Sequence, residues 1–130
     1  MKAEFPYLEK DGLTFPVIQV ILRGKDNILG VGALVDSGAS FSIFHSEIAE
    51  DLGITIEKGK AVYLTGVGGR ILGYLHEIDI SIDGKRFFKC NIIFSREFTV
   101  SFNLLGRDNF FEPFVISFLE REKKIVLRNA

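Results

Sequence analysis

Ala33-Leu34-Val35-Asp36-Ser37-Gly38-Ala39-Ser40 decides how the chain is read: an apolar strand runs into a carboxylate and then into small residues. The apolar run starts earlier, over 28–35 (ILGVGALV), and a second β-rich run, 15–22 (FPVIQVIL), precedes it. Between them Arg23-Gly24-Lys25-Asp26-Asn27 is a polar turn cluster, which predicts a hairpin whose second strand ends at Asp36. Taken alone, Asp36 reads sooner as a turn residue than as a functional acid, because Asp-Ser-Gly favours turns. The features that separate the two readings lie farther along the chain.

Past this loop, Ser46-Glu47-Ile48-Ala49-Glu50-Asp51-Leu52-Gly53 predicts one short helix. Ser46 is its expected N-cap, Glu47 suits the positive end and Gly53 suits the C′ position. Residues 61–65 and 70–82 predict a second hairpin with Gly66-Val67-Gly68-Gly69 at its tip. In its second strand Ile78, Ile80 and Ile82 alternate with Glu77, Asp79 and Ser81, the pattern of a half-buried strand. Asp83-Gly84 predicts a tight turn into a strand over 86–94. The apolar 102–106 is followed by Arg107-Asp108-Asn109-Phe110-Phe111, read as a single helical turn. Residues 115–119 and 124–127 form a last hairpin around Glu120-Arg121-Glu122-Lys123. The expectation is one all-β domain over residues 1–130.

Composition narrows the function classes. With 47% apolar and 25% charged residues in 130, the chain has the profile of an ordinary globular domain with a real core. A net charge of −1 with no Lys/Arg cluster argues against nucleic acid. No run approaches the ~20 apolar residues of a membrane helix. The N-terminal MKAEFPYLEKDG lacks the apolar stretch of a signal peptide, so the expected location is the cytoplasm. Cys90 is the only cysteine and sits in the strand-like FFKCNIIF, where a buried, inert thiol is expected. His45 and His76 have no ligand-spaced companions, so neither a metal site nor a base for Ser37 as nucleophile is indicated. A phosphate-cradling loop at 66–69 would open a helix, but the strand-like Arg70-Ile71-Leu72-Gly73-Tyr74 follows. No cofactor is implied.

Three segments, in order, carry a resemblance. Val35-Asp36-Ser37-Gly38-Ala39-Ser40 resembles the active-site loop of retropepsin-like aspartic proteases. Gly66-Val67-Gly68-Gly69 between two strands resembles the flap tip of the retroviral enzymes, and Leu104-Leu105-Gly106-Arg107-Asp108 resembles the segment that closes the family's fold. The resemblance implies a closed, mostly antiparallel acid-protease β-barrel with one short helix, forming a homodimer. It implies hydrolysis of peptide or protein substrates, with Asp36 as the catalytic residue.

Only one Asp-Ser-Gly loop is present, so the resemblance requires a second carboxylate from Asp36 of another copy. Two carboxylates in contact share a proton, which leaves one to take a proton from water and one to polarise the scissile carbonyl. Ser37, Gly38 and Ala39 would support the loop, with the Gly38 amide bonding the carboxylate and the Ser37 hydroxyl reaching the partner's loop. Gly66, Val67, Gly68 and Gly69 would form the flap. Leu34, Ile43, Val67, Ile71, Phe102 and Leu104 would line an apolar pocket, and Leu105, Gly106 and Arg107 would give structural support. Viral members usually carry an acid where this chain has Ser40, so Arg107 needs another partner. Two other readings keep much of this pattern: an inactive dimerisation or peptide-binding module of the same fold, and a monomeric β-barrel that binds a small ligand.

Overall fold

A computed structural model describes residues 1–66 and 69–130. Strands β1 (Lys2–Pro6), β2 (Leu8–Lys10) and β3 (Leu13–Phe15) lead into the hairpin β4 (Val17–Arg23) and β5 (Ile28–Val35). Strand β6 (Ser42–His45), helix α1 (Ser46–Asp51) and a 3₁₀ turn (Ile56–Lys58) follow. Then come β7 (Lys60–Gly66), β8 (Gly69–Ser81), β9 (Phe88–Ser95), β10 (Asn103–Leu105), β11 (Phe114–Leu119) and β12 (Lys124–Asn129).

Seven strands are ordered β4-β5-β10-β6-β9-β8-β7, and an additional β4–β8 pairing closes the sheet into a ring. Strand β8 makes this closure by serving three partners in turn. Its first half pairs with β7, the stretch Tyr74 to Ile80 pairs with β9, and Asp79 to Ser81 pair with β4. Alternation fills the interior. Ile18, Val20 and Leu22 from β4 and Cys90, Ile92 and Phe94 from β9 are wholly buried, each contributing roughly 1.5–3 kcal/mol where the side chain is large and apolar. A separate sheet, β1-β12-β11, packs Ile125 and Leu127 into the same core.

Several local expectations change. Ser46 is the first helical residue rather than the N-cap. His45 takes the cap position without a side-chain cap bond, because it is still paired to Ser95 in the β6–β9 ladder. The C-terminus follows the pattern expected of Gly53, which has φ +73°. Its N–H donates to Glu50 O and that of Ile54 to Ala49 O, the two bonds of a Schellman cap. Asp83-Gly84 is not a two-residue hairpin: the Asp83 carboxylate accepts the Lys85 and Arg86 amides, and β9 begins only at Phe88. Ser81 is buried rather than solvent-facing, its hydroxyl donating to Asp83 and accepting from the Gly84 amide. Residues 107–113 form hydrogen-bonded turns, not a helix.

Across the ring closure, Asp79 of β8 pairs with Lys89 of β9 at 2.7 Å and with Arg23 of β4 at 3.2 Å. The bond from Lys89, and then that from Arg23, hold the Asp79 carboxyl below its ordinary range. A depressed carboxyl stabilises the fold above its unfolded pKa, near 4, and that stabilisation is lost as the pH falls through the folded value. Asp79→Asn is therefore expected to cost under about 1 kcal/mol at neutral pH. The difference from wild type in urea unfolding should shrink below about pH 4.

Candidate functional site: a carboxylate at the mouth of a cleft

Strand β10 lies between β5 and β6, parallel to the first and antiparallel to the second. The chain that leaves β5 must therefore arch over β10 to reach β6, and residues 36–41 are that arch. Leu105 pairs with Val35, and the Asp36 N–H continues the ladder by donating to Leu105 O at 2.9 Å. On the other side, Arg107 N–H donates to Ala39 O and Asp108 N–H to Ser40 O, both at 2.9 Å. The arch is thus held from below by backbone bonds on either side of Gly106.

Within the arch, Gly38 N–H donates to Asp36 Oδ1 at 2.9 Å, and Ala39 N–H to Asp36 O at 3.1 Å. A carboxylate that accepts a backbone amide in this way has its orientation set by the loop itself. Asp36 is half-buried, while Ser37 and Ser40 are exposed. Two side chains not singled out from sequence complete the support. The wholly buried Ser42 accepts the Gly106 amide at 3.0 Å. Asn103 accepts the His45 amide at 2.9 Å and donates to Gly32 O at 3.1 Å, stapling β6 to β5.

Asp36 opens onto a cleft of about 570 Å³. Asp36, Gly38 and Ala39 line one side; Leu64, Thr65, Gly66, Gly69 and Ile71 line it from the β7–β8 hairpin, whose last described pair is Gly66–Gly69. Ile43, Leu104 and the segment 97–100 complete the wall. Of the residues expected at the flap, Val67 and Gly68 lie outside the described residues. Leu34 is placed beside Leu104 by the β5–β10 register but does not itself line the cleft. Phe102 is not among the lining residues either; its ring packs on Phe15 at 4.9 Å, with Lys10 Nζ 5.2 Å from its centroid. Arg107 is exposed and makes no ion pair among the described residues, so its contribution to the arch is its backbone amide.

The cysteine and the two histidines are not among the residues that line the cleft. Cys90 is buried, and burial pushes its thiol up to about 12, so it is not a nucleophile at neutral pH. His45 packs on Phe98 at 4.9 Å, and His76 Nε2 bonds Ile56 O at 2.8 Å. Among the described residues no group of three or more His, Cys, Asp or Glu converges as a metal site, and no helix is long and apolar enough to cross a membrane.

Comparisons with known proteins bear on this arrangement. The aspartyl protease family model matches residues 18–109, most of the chain and the whole of the arch, hairpin and β10. No curated protein sequence matches the chain. Among solved structures, a retropepsin-like aspartic protease from Rickettsia conorii is similar over 98% of both chains at 20% identity, with a TM-score of 0.68. EIAV protease, solved with the inhibitor HBY-793, is similar over 77% of this chain and 88% of its own, also at 20% identity, with a TM-score of 0.56. With its carboxylate set in an arch over β10 and its strands in this order, the chain belongs to the aspartyl protease family and has the retropepsin-like fold.

Proposed function

We propose that the protein is an aspartic endopeptidase that works as a homodimer, with Asp36 and Asp36 of a second copy forming the catalytic pair. The observation that carries the reading is the Asp36 carboxylate, oriented by the Gly38 amide of its own loop, at the mouth of a peptide-sized cleft. One carboxylate cannot both take a proton from water and present one to a carbonyl. Two in contact can, because their mutual repulsion keeps one protonated while the other is ionised. The protonated acid then polarises the scissile carbonyl, and the ionised one activates the attacking water.

The chain offers one such loop, so the second acid comes from a two-fold partner. The exposed Ser37 hydroxyl is available to bond the partner's loop. Strand β11 is an open edge of the terminal sheet, with Val115 and Phe118 exposed, the kind of edge that a second copy can cover. The apolar wall formed by Ile43, Leu64, Ile71, Val100 and Leu104 favours apolar side chains beside the cut. Gly66 and Gly69, at the ends of the hairpin limbs, would let its tip cover the bound peptide and exclude water.

The test is cleavage of a mixed peptide library across about pH 3–7, with sedimentation of the same protein. Cleavage is expected, together with a dimer and a specific activity that falls on dilution as dimers dissociate. A protein that stays monomeric at high concentration yet cleaves would remove the symmetric pair. A dimer that binds peptides without cutting them would instead support an inactive peptide-binding module.

A further inference from the structure

We propose that Glu97 makes this cleft select a basic side chain, lysine or arginine, in the bound peptide. The inference rests on the reading of the cleft as a peptide-binding site. Among the described residues that line it, Asp36 and Glu97 are the only ionisable ones, and both are acids. No lysine, arginine or histidine stands among them to neutralise Glu97.

The carboxylate is held in place. Its Oε1 accepts the Leu72 amide at 3.1 Å, the Glu97 amide donates to Ser95 Oγ at 3.1 Å, and that hydroxyl donates to Leu72 O at 2.6 Å. The turn therefore captures both backbone groups of Leu72 on the hairpin strand. The adjacent cation, Arg96, is engaged elsewhere: it pairs with Glu50 of α1 and Glu57 of the 3₁₀ turn, each at 3.1 Å. Glu97 itself makes no ion pair among the described residues, and one amide bond leaves its other oxygen free to accept.

An ammonium or guanidinium brought here forms a charge-assisted hydrogen bond. The aliphatic stem of the same side chain suits the apolar wall around it, where Phe98, Val100 and Leu64 line the cleft. A two-fold dimer carries Glu97 in both halves of the cleft. The selected residue should therefore appear at two positions disposed symmetrically about the cut, beyond the apolar side chains that flank the bond.

Glu97 also ties the turn to β8, so the test must separate charge from anchoring. Glu97→Gln does so, because its amide oxygen still accepts the Leu72 N–H while the charge is gone. Cleavage sites in a peptide library should be enriched in Lys and Arg at the paired positions. A Lys peptide should be cut with kcat/KM about tenfold above its norleucine analogue, as expected for a hydrogen bond to a charged group. In Glu97→Gln that ratio should fall to near one, and in wild type it should shrink as salt is raised. Equal loss on both peptides, or a ratio that the variant keeps, overturns the proposal while the peptidase reading stands. If wild type cuts neither peptide, the peptidase reading fails, and fluorescence anisotropy with the same pair decides the proposal. Tighter binding of the Lys peptide that Glu97→Gln abolishes upholds it. Equal binding, or none, overturns it.

Discussion

Asp36→Asn is expected to lower kcat/KM on any cleaved peptide by about 10⁴-fold, the upper range for loss of a general acid and base. The variant should fold as well as wild type or better. Its side-chain oxygen can still accept the Gly38 amide that orients Asp36, and removing two like carboxylates from a shared interface removes their repulsion. Activity loss with an undiminished melting temperature is the combination that separates a catalytic acid from a turn residue. A turn residue would instead leave activity per folded molecule unchanged, since asparagine keeps the same turn bond.

Mixing gives a sharper version. When equal amounts of wild type and Asp36→Asn exchange subunits freely, about a quarter of the dimers carry two acids. Activity relative to the same total amount of wild type should then be near that fraction. If each chain worked alone, half would remain. A value of one half would therefore remove the shared pair even if the point variant itself were dead.

The parts of this site that could be read from the chain are those whose chemistry is local. Asp36, Gly38 and the strand before them sit within a few residues of one another, and the Gly38 bond to the carboxylate is an i to i+2 contact. Helix α1 ended where its glycine predicted, since a C′ residue at positive φ is a local requirement. What could not be read depends on distant partners. Strand β1 pairs with β12, Lys2 opposite Arg128, and nothing in a short segment containing Pro6 announces a partner at the far end of the chain.

The two Asp-Gly pairs make the same point more finely. Asp11-Gly12, passed over in the N-terminal segment, forms the two-residue hairpin between β2 and β3, with φ of 53° and 76°. Asp83-Gly84, read as the tight turn, has positive φ only at the glycine. Its aspartate instead spends its carboxylate on the amides of 85 and 86, which widens the loop. The dipeptide states a capacity, and the register of the flanking strands decides its use. Glu97 was missed for a related reason. It lies in a turn with no periodicity, and the long-range pairings of β9 with β8 and with β6 bring that turn to the cleft.

Gly106→Ala is the second substitution with a large expected effect, and it tests the arch rather than the acid. A Cβ at this position would stand 2.3 Å from Phe41 O, 2.5 Å from Phe41 C and 2.8 Å from Phe41 N. All three are backbone atoms, so no rotamer change relieves the overlap. Either β10 sinks or the arch rises, and either motion strains the bonds that join Asp36 to Leu105, Arg107 to Ala39 and Asp108 to Ser40. Gly106 is buried and its own amide bonds Ser42, so the segment cannot swing into solvent without losing that partner too. The expected cost is about 3 kcal/mol, at the upper end for overpacking, read from the midpoint of urea unfolding. Gly30→Ala is the control: nothing lies within 4 Å of the added Cβ, and its φ is not positive. That change should shift stability by less than about 0.5 kcal/mol or raise it slightly. Whatever Gly106→Ala protein remains folded should also cleave more slowly per folded molecule. The carboxylate is aimed by the arch, and a misplacement on the order of 1 Å costs about 10²-fold in rate. Full activity in the folded fraction would show that the Leu105–Asp108 segment only completes the fold and does not position Asp36.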